Sequence, residues 1–171
     1  MKKYVYKPYS TLFPELFSKE KTRIEAILKE AFAIEHIGST AIVGLGGKGI
    51  IDIGITVRKE HMDLASKQLQ QLGYEYKPNF STAQRFYFVI FLPDPEEGTR
   101  RYHIHLTYPE SSEWKELIGF RDYLRDHPEA VEEYAALKKH AAEEANQMGD
   151  RYRKLKDPIF KKIHALMQKR A

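Results

Sequence analysis

The chain has 171 residues, a length at which one domain buries a single adequate core and a second independent domain has little room. Its formal charge of +4 and pI near 9.1 are modestly basic, with Lys and Arg interspersed among Asp and Glu, a balance that admits a phosphate-bearing ligand without demanding nucleic acid. Cysteine is absent, which excludes disulfides, thiolate nucleophiles and cysteine metal sites, and leaves Asp, Glu and the seven His as the strong metal ligands.

The opening Met1-Lys2-Lys3-Tyr4-Val5-Tyr6-Lys7-Pro8 lacks the apolar run and small-residue cleavage site of a signal peptide, and no apolar stretch reaches the roughly 18 residues of a membrane span. A cytoplasmic protein with no membrane partner is expected. From Phe13 to Phe32, apolar residues at Leu16, Phe17, Ile24, Ile27, Leu28 and Ala31 keep the helical period and predict a helix. Ala33–Ile37 alternates and ends at Gly38-Ser39-Thr40, predicting a short strand, a tight turn and a short helical segment capped by Ser39 or Thr40.

Ile50–Val57 is rich in β-branched residues at strand length, with Asp52 inside the apolar run. Glu60–Leu72 returns to helical period, and Gly73 suits its C-terminal cap. Arg85–Leu92 and Arg101–Tyr108 read as strands joined by the hairpin-like Pro93–Gly98. From Ser112 onward the pattern is helical, broken at Asp126-His127-Pro128-Glu129, with further boundaries at Gly149 or Pro158. Strands followed by helices predict an α/β (α+β) fold, a mixed sheet with flanking helices and a helical C-terminal layer. A single domain over residues 1–171 follows, its sheet-containing core over about 1–110 and its C-terminal helices over about 112–171.

Gly44-Leu45-Gly46-Gly47-Lys48-Gly49 matches the dinucleotide pattern G-x-G-x-x-G, yet it opens a strand, whereas that motif must follow one and open a helix. A P-loop reading fails as well, because Ile42 stands at the leading glycine and Gly49 at the metal-binding Ser or Thr. The informative spacing is Gly38-Ser39 followed by Asp52 in an apolar strand. Backbone N–H groups and a hydroxyl at a turn can bind phosphates, while a carboxylate on the neighbouring strand holds a divalent ion against them.

His36-Ile37-Gly38-Ser39-Thr40-Ala41-Ile42-Val43-Gly44-Leu45 through Lys48 and Ile50-Ile51-Asp52-Ile53 resembles the hallmark of the GrpB family, a branch of the nucleotidyltransferase-like superfamily. His103-Ile104-His105, Phe120–Pro128 and Tyr134, Leu137, Lys138, Asp150, Tyr152 and Lys154 extend the likeness over nearly the whole chain. The resemblance implies a nucleotidyltransferase-like fold. Gly38, Ser39, Thr40, Lys48 and Arg101 are the candidate nucleotide- or phosphate-binding residues, and Asp52, assisted by His105, the candidate catalytic ones. A nucleotide or phosphorylated small molecule is the partner implied, nucleic acid having weaker support.

Nucleotidyltransferases that use metal ordinarily carry D-x-D, since residues two apart on a strand share a face. Gly54 stands at the second acid, and His103 and His105 stand where a third would lie. A divalent metal (Mg, Mn or Zn) on Asp52, His103 and His105, with His36 as a fourth candidate, is the expected cofactor site, imidazole favouring Zn over Mg. Against this stands the plain structural reading, in which paired histidines on one strand face are hydrogen-bonded architecture. Arg121 and Asp122 read as an ion pair fixing the helical layer, and Tyr123, Tyr134 and Phe160 as helical packing. Two functions follow: nucleotidyl transfer from a nucleoside triphosphate, or a degenerate site that binds nucleotide, phosphate or metal without turnover. A third, an interaction protein with no ligand, would bind none of these.

Overall fold

The computed structural model describes residues 6–144 and 149–169; Met1–Val5, read above for a targeting segment, and the side chains of Asp150 and Tyr152 lie outside the described residues. Helix α1 (Phe13–Glu25) leads to β1 (Ala33–Ile37), a 3-10 turn at Ser39–Ala41, and β2 (Ile51–Thr56). Then come α2 (Met62–Gln71), β3 (Glu75–Tyr76), β4 (Phe86–Asp94), β5 (Gly98–Thr107), α3 (Ser112–Asp126), α4 (Pro128–Glu144) and α5 (Gly149–Gln168). The sheet order is β1-β2-β5-β4-β3, antiparallel except for the parallel pairing of β2 with β5.

Strand alternation divides this sheet into two faces. One carries Ile34, Ile51, Ile53, Ile55, Tyr102, Ile104, Leu106 and Phe88, all buried against Phe13 and Ile24 of α1 and Met62, Ala65 and Leu69 of α2. Each of the three β2 isoleucines is at 0% exposure, so each contributes on the order of 2 kcal/mol of burial. The other face carries Ile37, Asp52, Gly54, His103, His105, Val89 and Tyr87, as the strand registers require. Helix α3 lies across its β1–β2 side. Arg121 fastens it there, Nη1 donating to Glu35 Oε2 (2.8 Å) and to the His36 carbonyl (3.2 Å), while Arg125 donates to the Ala41 carbonyl. A second apolar cluster of Ile42, Leu45, Leu124, Val131, Tyr134 and Ile163 joins the three C-terminal helices to the loop after β1.

Most predicted elements stand, with four differences. Helix α1 stops at Glu25 instead of Phe32: Ile27 and Leu28 both donate to the Ile24 carbonyl in a closing turn, and the Phe32 N–H already joins the sheet at Thr56. Neither Ser39 nor Thr40 caps the turn; Gly38 takes that position with φ 73°, a left-handed conformation that favours glycine, and no side chain bonds the cap. The two-residue β3 is too short to leave a periodic signal. Helix α5 starts at Gly149 but runs through Pro158.

Candidate functional site

The parallel register sets Asp52 beside His103 and Gly54 beside His105. Asp52 Oδ1 stands 3.1 Å from His105 Nε2 and 3.3 Å from His103 Nδ1. The opposite ring nitrogen of His105 faces Arg85, whose Nη1 is 2.9 Å from Nδ1. Guanidinium can only donate, so Nδ1 is the acceptor and the neutral ring carries its proton on Nε2, donating it to Asp52. His103 shares Nδ1 between Asp52 and the Tyr87 hydroxyl, leaving Nε2 buried with no hydrogen-bond partner. Burial pushes the His103 imidazolium down, against the opposing pull of Asp52. Burial also acts to raise the Asp52 carboxyl, but the hydrogen bonds from the two imidazoles win and hold it well below the usual carboxylate range. Asp52 is therefore an anion braced by two histidines, with 22% of its side chain still exposed.

Its second oxygen faces the glycine turn. A Cβ on Gly38 would stand 2.6 Å from Asp52 Oδ2, so only glycine lets the turn approach the acid this closely. Gly38, Ser39, Lys48, Asp52 and His105 line one cleft of about 440 Å³, within the about 300–1,000 Å³ usual for ligand pockets. The helical layer closes it with residues spaced one turn apart: Glu116 and Phe120 from α3, Tyr134 and Lys138 from α4, Phe160 and His164 from α5. Ser39 Oγ and Lys138 Nζ both crowd Gly47, 3.1 and 2.7 Å from where its Cβ would be. Lys138 is buried, with Nζ 5.1 Å from the Tyr134 ring centre.

Three sequence-derived candidates sit elsewhere. His36 pairs in register with Ile53 and so points to the opposite face from Asp52, stacked on Phe17 at 4.8 Å. Burial holds its pKa down at about 4, with Asp52 opposing and Arg125 and Arg121 adding to the fall. Thr40 is buried under the turn, donating to the Ile50 carbonyl and bonded to His36 Nε2 at 2.9 Å. Arg101 shares the face of His103 but is not part of the cleft wall; its guanidinium lies 5.9 Å from the Phe91 ring centre. Arg100 pairs with Asp94 at 2.6 Å, both side chains almost wholly buried.

The expected imidazole–carboxylate metal site does not fit this arrangement. Both His105 nitrogens are engaged, His103 turns Nδ1 to Tyr87 and Asp52 so that its unpartnered Nε2 is the ring nitrogen away from the carboxylate, and His36 faces away. No group of three or more His, Asp or Glu is placed to hold a metal ion among the described residues. Gly54 has its own explanation: a Cβ there would stand 2.8 Å from Trp114 Cζ3, so the indole of α3 occupies the space of the second acid. Sequence reading did not place Lys138, Phe120 and His164 at the site and took Phe160 for core, whereas Tyr134 is core as expected and also lines the cleft.

The GrpB protein family model matches residues 4–166. A curated relative, the glutamate-rich protein GrpB of Alkalihalophilus pseudofirmus, is 35% identical over 79% of this chain and 79% of its own length. The UPF0157 protein YqkA of Bacillus subtilis is 35% identical over 90% of this chain, which spans only 44% of that longer protein. Among solved structures, the conserved protein GrpB from Enterococcus faecalis superposes with a TM-score of 0.82 at 31% identity, covering 97% of this chain and 98% of that one. The Cid1 poly(U) polymerase superposes with a TM-score of 0.57 at 12% identity, over 80% of this chain and 44% of that one, a likeness of fold alone. No helix among the described residues is long and apolar enough to cross a membrane.

Proposed function

The chain belongs to the GrpB family and has a nucleotidyltransferase-like fold, and from that premise we propose that its cleft binds a nucleoside triphosphate or a similarly phosphorylated small molecule. One observation carries this reading: the Gly38–Ser39 turn, two lysines and the Asp52 carboxylate open onto a single cavity. The N–H groups of the turn and the Ser39 hydroxyl donate to phosphate oxygens, and Lys48 and Lys138 offset the carboxylates of Asp52, Glu113 and Glu116 that line the same cleft. Solved Cid1 structures hold MgGTP and MgATP, a nucleotide class that suits a cavity of this size. Calorimetry with ATP, GTP, CTP, UTP and inorganic tripolyphosphate tests it. Binding should weaken about tenfold or more in Lys138→Met and in Ser39→Ala, the scale of one charge-assisted hydrogen bond. Absence of binding for all five ligands would sink the proposal.

Nucleotidyl transfer is the second reading, favoured by Asp52 Oδ2 facing the turn. In it an acceptor hydroxyl attacks the α-phosphorus, pyrophosphate leaves, and the hydroxyl proton passes to solvent while Asp52 accepts the hydroxyl's hydrogen bond and orients it. His105 acts here as a positioning residue, because neither of its nitrogens is open to substrate. The indole over Gly54 counts against the usual two-acid metal chemistry, so no step is routed through a metal. Incubation with α-labelled triphosphates and a pool of metabolites or RNA should transfer label, and Asp52→Asn should abolish it. Binding without labelled product would leave the degenerate, non-catalytic site as the function.

A further inference from the structure

The cleft is lined by two chemically different sets of residues. One is polar, the turn with Lys48, Lys138, Asp52, Glu113 and Glu116; the other is Leu117, Phe120, Phe160 and His164. Phe160 is 39% exposed and is not part of the apolar cluster of the helical layer. Its ring lies 4.4 Å from that of His164 and 5.2 Å from that of Phe120, and Phe120 and His164 stack at 5.6 Å with planes 23° apart. These three rings form one aromatic wall in a cavity that Lys48 and Lys138 also line.

A bare phosphate, or a phosphorylated sugar, would leave such a wall in contact with water. A planar heterocycle would cover it by stacking, which needs no particular hydrogen-bond pattern and accepts any base. The wall comes from α3 and α5, and Tyr134 of α4 links it to Lys138, its ring centre 6.1 Å from that of Phe120 and 5.1 Å from Lys138 Nζ. We infer that Phe120, Phe160 and His164 are a nucleobase subsite, so that the ligand is a nucleotide lying with its phosphates toward Ser39 and Lys138 and its base against α3 and α5. The inference rests on the phosphate-binding reading above and adds the part of the ligand that reading leaves open.

The test compares ATP with inorganic tripolyphosphate by calorimetry, on the unchanged protein and on Phe160→Ala and His164→Ala. The unchanged protein should bind ATP about tenfold or more tightly than tripolyphosphate, the scale of one stacked base. Either variant should bring ATP down toward tripolyphosphate while leaving tripolyphosphate itself unchanged, which also reports that the variant has folded. Tripolyphosphate and ATP binding equally well, or a variant that weakens both alike, overturns the base subsite and leaves the phosphate site standing. If neither ligand binds, the phosphate reading has failed and this inference falls with it.

Discussion

Replacing Gly54 with alanine puts a methyl carbon 2.8 Å from Trp114 Cζ3 and 3.3 Å from Ile37 Cδ1, where apolar carbons settle at about 3.5–4.0 Å. Gly54 is not among the glycines with positive φ, so alanine meets no backbone penalty and regains about 0.5–1 kcal/mol of the entropy a glycine loses on folding. Displacing a packed indole costs about 1–3 kcal/mol, so the overlap wins and the net loss is about 1–2 kcal/mol. For a chain of this length that lowers the melting temperature by roughly 2–8 °C. Gly54→Asp should lose more, because its carboxylate would enter the same space beside the anionic Asp52. Urea denaturation of Gly54→Ala with and without Trp114→Ala is the decisive assay. With the indole removed, the alanine should cost less than about 0.5 kcal/mol. Equal costs in both backgrounds would refute the packing argument, and so would a Gly54→Asp protein that stays stable and gains nucleotidyl transfer.

Two further outcomes follow from buried charge. Burial holds the folded pKa of His36 down at about 4, below the 6.5 of a free imidazole, so the stability of its neutral form is complete above about pH 6.5 and is lost as the pH falls toward 4. Between pH 7.5 and 4.5 this one residue should remove about 2–3 kcal/mol, visible as a pH-dependent urea midpoint that flattens in His36→Gln. Asp94→Asn would leave the almost wholly buried Arg100 guanidinium facing only the Gly49 carbonyl and the more exposed Glu96 carboxylate, at a cost of about 3–5 kcal/mol. Thermal unfolding should register that as a fall on the order of 10 °C.

The local part of the site was legible because it is written in consecutive residues. Gly38, Ser39 and Asp52 fall within fifteen positions, and strand alternation alone places His103 and His105 on one face. What alternation cannot supply is the register between strands, and register is what turns His36 to the opposite face while Asp52 pairs with Ile37. The same limit applies to Gly54, which reads as a missing acid until Trp114, sixty positions away, is seen lying on it. Lys138, Phe120, Tyr134 and Phe160 recur at helical spacing, and a helix face turned toward a cleft has the same periodicity as one turned toward a core. Arg101 looked suited to the cleft from its sequence neighbours, but the sheet carries it past the wall to Phe91.

The parallel pairing of β2 with β5 has a kinetic meaning. Asp52 and His105 lie 53 positions apart, and α2, β3 and β4 must all be threaded between their strands before the two can meet. Closing so long a loop earns nothing until the pairing is made, so β2 waits for the β4–β5 hairpin to dock alongside it. A nascent or partly unfolded chain in which that docking has not happened carries an acid without its imidazoles and a turn without its far wall. An intact cleft therefore needs this pairing as well as the docking of the helical layer, whose Arg121 bonds Glu35 from 86 positions away.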